Sequence, residues 1–305
     1  MNLSLDFAFE GFRVIRQKPV AILVWGLILL IGNGAGLYVI ASMAGAPLHS
    51  LQQLQAAGTP TEASAEAMMG LMPPILSAYA IAIPLLLLAD SLVACAVYRA
   101  VLGRDGGFAW LALGPAELRQ FIVSILFFLV AVGVTIVAAM FAALLGAPIG
   151  MIFGPMASAV TDGALIVAIL AAIALRLSFC GVQTFDEGRV NLFGSWSLTV
   201  GRFWRLATGY VIAAIMILLV DLLCLVIFIA FVAAFNGGDL KALDPVFNNT
   251  SITLDMFRTP VTLAYLIVAN GLVAPLTLAL SAGAPAAAYR ALRALPGAAR
   301  AQDVF

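Results

Sequence analysis

The cations of this chain are confined to four short segments, and the long apolar stretches between those segments carry almost none. All but two of the 15 lysines and arginines fall at Arg13, Arg16 and Lys18; at Arg99, Arg104 and Arg119; at Arg176, Arg189, Arg202 and Arg205; and at Arg290, Arg293 and Arg300. Only Lys241 and Arg258 lie in the intervening loops. Basic residues kept to alternate connections between hydrophobic runs are the positive-inside pattern of a polytopic membrane protein. With no water in the hydrocarbon core, backbone polar groups must pair within the segment, so runs this long are helices and the fold class is all-α.

At about 20 apolar residues per crossing, six spans are expected near residues 19–43, 73–98, 120–146, 160–180, 206–234 and 260–286. The gaps after the first, third and fifth hold His49, Glu62, Glu66, Asp162, Asp239, Asp244 and Asp255, whereas both termini and the other gaps are basic. This places the chain in a bacterial inner membrane with both termini cytoplasmic. A signal-peptide reading of Arg13 to Lys18 with a cleavage site at Ala44-Gly45-Ala46 meets an apolar run too long for an h-region. The whole chain, 1–305, reads as one membrane domain with a short cytoplasmic tail at 296–305.

Composition excludes several classes of function. A chain that is 64% hydrophobic and 10% charged, with mean hydropathy +1.11, lies outside the soluble range. A formal net charge of zero offers no excess field for phosphate backbones, which argues against a nucleic-acid partner, while local basic clusters suit anionic headgroups. Cys95, Cys180 and Cys224 lack metal-site or redox spacing and read as packing residues. One histidine and three dispersed cysteines assemble no metal site, and Gly103, Gly106 and Gly107 lack the lysine and order of a phosphate loop. His49, in an outer loop, is on the wrong side to meet a buried carboxylate in a Ser-His-Asp arrangement. No cofactor is expected, and an enzymatic role is disfavoured.

A unit of amphipathic segment, span, acidic loop and returning span occurs three times. Phe9 stands nine residues before Lys18, Trp110 nine before Arg119, and Phe193 nine before Arg202. The second span closes on Tyr98-Arg99 and the sixth on Tyr289-Arg290. An aromatic for the headgroup zone and a cation for phosphate are the chemistry of an interfacial helix. The pattern fits a threefold repeat over 1–104, 105–183 and 184–295, and it fits equally well the general habit of membrane proteins to place such residues at the interface.

One stretch resembles a known family. Arg176-Leu177-Ser178-Phe179, followed by Phe193-Gly194-Ser195-Trp196-Ser197-Leu198-Thr199-Val200-Gly201-Arg202-Phe203-Trp204-Arg205-Leu206, looks like the signature of the membrane domain fused to some glycerophosphodiester phosphodiesterases and of related bacterial integral-membrane proteins. The match covers roughly a tenth of the chain. It implies a membrane module; no soluble domain here could supply the carboxylates and histidines of that hydrolase.

Buried polar residues are the candidates for a centre. Asp90 and Asp221 interrupt long aliphatic runs, and each carboxylate costs about 2.5–3.5 kcal/mol at a bilayer centre, so each should face the bundle interior. Depth along the spans sets Asp90 near Arg176 and Asp221 near Asn270. Interhelical packing is the favoured role, since Asn33, Ser91, Thr135, Asp221 and Asn270 are few polar residues for a carrier; a proton or substrate site is the alternative. Gly32 and Gly36 permit close contact with a neighbouring span of the same chain in preference to a second protomer. Prolines at Pro84, Pro275 and Pro285 mark bends. The apolar positions Leu48, Leu51, Leu54, Met68, Met69 and Leu71 fit a short helix on the outer leaflet.

The favoured function is therefore a non-enzymatic membrane protein that interacts with lipid or scaffolds and assembles partners at the cytoplasmic leaflet, gripping anionic headgroups through Arg13, Arg16, Lys18, Arg119, Trp196, Arg202, Trp204 and Arg205. A small-molecule or lipid transporter with a buried-carboxylate site is the alternative, and a membrane-embedded lipid enzyme is disfavoured. A protein partner or homo-oligomer stays open.

Overall fold

The computed structural model describes residues 4–17, 19–56, 62–104, 107–247 and 252–294. Lys18, the Gly58-Thr59-Pro60 turn, the Asn248 to Ser251 loop and the 296–305 tail lie outside the described residues. A 3-10 turn at Leu5–Phe9 opens into α1 (Glu10–Gln17), followed by α2 (Pro19–Met43), α3 (Gly45–Ala56) and α4 (Glu62–Leu102). After a 3-10 turn at Phe108–Trp110 come α5 (Pro115–Phe153), α6 (Pro155–Arg176), α7 (Cys180–Glu187), α8 (Gly194–Thr199) and α9 (Phe203–Phe235). Then follow α10 (Asp244–Phe247), α11 (Pro260–Val268) and α12 (Ala274–Arg293), the last two joined through a π-turn at Ala269–Val273 into one helix. Among the described residues there is no strand, and six helical units are long and apolar enough to cross a membrane. The chain is a multi-pass, all-α membrane protein.

The first span matches its expected limits, whereas the others run longer. α4 starts at Glu62 because Pro73 and Pro74 are accommodated inside the helix, where Ser77 Oγ donates to the Pro74 carbonyl at 3.0 Å. Met68, Met69 and Leu71 thereby belong to α4, while Leu48, Leu51 and Leu54 sit on the separate helix α3. The loop expected to hold Asp162 is reduced to a tight turn at Gly154 (φ 90°), so Asp162 lies within α6 instead. Its Oδ1 is buried against α5 where Gly146 leaves room, and it has no hydrogen-bond partner.

The centre of the molecule is α2, α4 and α12. Trp25 and Leu29 of α2, Val93, Val97 and Val101 of α4, and Ala279, Ala286, Ala288 and Tyr289 of α12 form one continuous buried cluster. Lipid tails are as apolar as these side chains, so close packing rather than hydrophobicity holds such helices together. The Gly32/Gly36 face meets α4 of the same chain, and a Cβ at Gly32 would stand 2.4 Å from Ala89 Cβ. Gly26 is tighter still, since its Cβ would fall 1.9 Å from the Gly271 carbonyl oxygen of the π-turn.

The expected interfacial segments divide. The first turns inward: Phe7, Glu10, Gly11 and Val14 are buried, α1 lies against α12, and Phe7 meets Tyr210 edge-on at 5.9 Å. The second is a short plug. Trp25 Nε1 donates to the Ala109 carbonyl at 3.0 Å and Arg99 Nη1 to that of Trp110 at 3.1 Å, pinning two non-glycine residues at φ 56° and 55°. Such conformations cost about 1–3 kcal/mol each and persist only where neighbours enforce them. The third segment, α8 and the turn after it, presents Phe193, Trp196 and Trp204 outward, as the first two present Phe9 and Phe108.

The hairpin α5–α6 stands apart. Its helices pack chiefly on each other, with small Ala138 and Ala142 of α5 buried, while Ile136, Met140, Phe141 and Leu144 are exposed. In a bilayer that apolar flank faces acyl chains.

Candidate functional site

The end of the bundle that carries the arginines also carries Glu10, Glu117, Asp186 and Glu187. Arg99 and Glu117 form an ion pair with side chains only 9% and 5% exposed, and the Arg99 guanidinium also lies 5.3 Å over the Phe185 ring. Asp186 accepts from Arg104, Arg293 and the Tyr289 hydroxyl, which ties α4, α7 and α12 together. Glu10 holds Arg13 and Arg290, and Arg290 donates to the Val101 carbonyl. Arg189 reaches Glu187 at 3.0 Å. Six of the eleven described cations that mark the topology are thus ion-paired within the protein.

Residues 176–179 and 193–206 fold into one latch. Ser195 Oγ accepts from the Phe179 amide at 3.0 Å and donates to the Arg176 carbonyl at 2.7 Å, closing α8 onto the end of α6. Arg176 donates to Thr199 Oγ1 at 3.2 Å and lies between the Trp196 ring at 5.4 Å and the Phe203 ring at 5.2 Å. A left-handed turn at Gly201 (φ 74°) then starts α9 in a new direction. The latch buries Ser195 and Thr199 but leaves Trp204 80% exposed, beside exposed Arg202 and Arg205.

The headgroup candidates accordingly occupy different settings. Arg16, Arg202 and Arg205 are exposed and make no ion pair among the described residues. Arg13 is exposed but paired with Glu10, Trp196 is partly covered by Arg176, and Arg119 is half-buried with its Nε unpartnered.

The intramembrane pairings differ from those expected. Arg176 is held in the latch and does not reach Asp90. Asp221 accepts from Thr277 Oγ1 at 2.9 Å, while Asn270 Oδ1 accepts from Asn33 Nδ2 at 3.1 Å. Asp221 and Asn270 thus bond different neighbours. Asp221 lines a cavity of about 330 Å³ against Cys224, Tyr265 and the π-turn. Asp90 lines a larger one, about 470 Å³, with Gln120, Ser124 and Ser178. Ser124 pairs with Ser91 at 3.1 Å, and Asp90 has no hydrogen-bond or ion-pair partner among the described residues.

Sequence reading overlooked Glu117, Asp186 and Gln120. Their signal was the presence of carboxylates in the same short gaps as the arginines, which a count of cations alone ignores. No family model matches the chain, and no curated protein or solved structure matches it.

Proposed function

We propose that this chain is a non-enzymatic, lipid-interacting protein of the bacterial inner membrane, and that the turn from Trp196 to Arg205 grips anionic headgroups at the cytoplasmic leaflet. The observation that carries the reading is the sorting of cations. Arg99, Arg104, Arg290 and Arg293 are paired with internal partners, whereas Arg202 and Arg205 are left exposed on either side of an exposed Trp204. An indole at headgroup depth flanked by unpaired guanidiniums matches phosphate and acyl boundary together. At about 1 kcal/mol per basic residue near an anionic surface, the two arginines contribute about 2 kcal/mol, or roughly thirtyfold in lipid occupancy. The resemblance to the membrane domain of glycerophosphodiester phosphodiesterases supports the reading of a membrane module. Scaffolding of a protein partner at that leaflet would use the same face.

The test is the lipid that stays with the purified protein. Arg202→Ala with Arg205→Ala should lower co-purifying anionic phospholipid in native mass spectrometry, while Arg189→Ala, already paired with Glu187, should not. Unchanged lipid in the double variant would refute the reading. A carrier is the second reading, favoured by the cavity that Asp90 lines.

A further inference from the structure

The Asp90 cavity adjoins a second one, about 510 Å³, with Ala94, Tyr98, Phe127, Ser178 and Leu278 lining both. Together they form a cleft walled by α4, α5, α6, α9 and α12, with a volume typical of small-molecule sites. Toward the basic end the Tyr210 hydroxyl donates to Ser178 Oγ at 3.0 Å, joining two residues of its wall. Its outer wall is the hairpin α5–α6, which past Ala131 packs chiefly on itself.

The chemistry of this cleft is one-sided. Two acceptors in it have no partner: the Asp90 carboxylate, and Oε1 of Gln120, a residue only 5% exposed. No lysine or arginine lines either cavity. A phosphate or carboxylate ligand would therefore meet a negative charge with nothing to offset it, whereas an ammonium brings both charge and three donors. The rest of the wall, including Phe127, Ile217 and Leu278, suits a hydrocarbon chain.

We propose that the cleft is a binding site for a long-chain amphiphile with a protonated amine head, the ammonium meeting Asp90 and Gln120 and the chain lying along Phe127, Leu278 and Ile217. None of these residues belongs to the headgroup-binding turn, so the two assignments stand or fall separately.

Photolabelling tests it, using the full chain in phosphatidylcholine nanodiscs. The probes are a diazirine-bearing hexadecylamine and a hexadecanol with the same diazirine. The amine should label α5 and α12 near Phe127 and Leu278. Loss of a charge-assisted contact should cut that labelling about tenfold or more in Asp90→Asn. Leu278→Trp, which fills the cleft without touching the carboxylate, should block it as well. In the native chain, unlabelled hexadecylamine should compete and hexadecanol should not, a comparison that needs no variant to fold. Amine labelling indifferent to both substitutions, or hexadecanol labelling the native cleft as strongly as the amine, would overturn the assignment.

Discussion

The buried pair Arg99–Glu117 gives the sharpest energetic test of how this bundle is closed. Both side chains are almost fully withdrawn from solvent, and Arg99 also holds the Trp110 carbonyl and stacks on Phe185. Removing one partner strands the other as an uncompensated charge, which costs about 3–5 kcal/mol. For Glu117→Leu the stranded group is a guanidinium that keeps one carbonyl and one ring face. For Arg99→Met the Glu117 carboxylate is worse placed, because its Oε2 already lacks a partner. Arg99→Met is therefore expected at the upper end of that range and Glu117→Leu at the lower. Replacing both by apolar residues of similar volume leaves no stranded charge, so the double variant should cost less than either single one. The assay is reversible unfolding in mixed detergent micelles, followed by circular dichroism for all four proteins. Single variants costing under about 1 kcal/mol, or a double variant costing the sum of the two, would show that the pair is not the buried, coupled element described.

Three other outcomes follow from particular contacts. Gly26→Ala places a methyl group against the Gly271 backbone, which cannot retreat like a flexible side chain, and should destabilise by about 1–3 kcal/mol in the same assay. Asp221→Asn keeps an acceptor for Thr277 and should leave the unfolding transition in place, while Thr277→Val should cost about 0.6 kcal/mol, the average for interhelical hydrogen bonds in membranes. A cysteine at Gly238 should react with an impermeant maleimide added to intact cells and one at Ser197 only after permeabilisation; the reverse pattern would invert the proposed orientation.

The sequence disclosed those features that depend on one segment at a time. Helical class and six crossings follow from apolar length and from where cations stop, and residues 19–43 were delimited correctly because Pro19 and the small residues after Met43 bracket a single uninterrupted run. Expected ends fall short of the observed ones where helices run on through prolines, since α4 begins ahead of Pro73 and Pro74 and α5 passes through Pro148. A neighbouring helix or a serine can satisfy a freed carbonyl, and that remedy is invisible to local reading. Pairings between segments were harder still. Asp90 and Arg176 share a membrane level by counting, but Arg176 is rotated into the Trp196–Phe203 clamp, and rotation about a helix axis is set by packing. Arg99 finds Glu117 only because the plug at Ala109 and Trp110 reverses the chain with two left-handed residues that no composition rule marks.

The hairpin α5–α6 has a mechanical consequence. At 1.5 Å per residue, the 22 residues of α6 form an arm about 33 Å long. That arm is anchored by the Ser195 latch at one end and braced along its length chiefly by its own partner helix. A tilt of about 10° at Leu177–Phe179 would carry the Gly154 tip through about 6 Å. The displacement grows with distance from the hinge, so it falls on the lipid-facing tip and spares the cavity wall at Leu177 and Ser178.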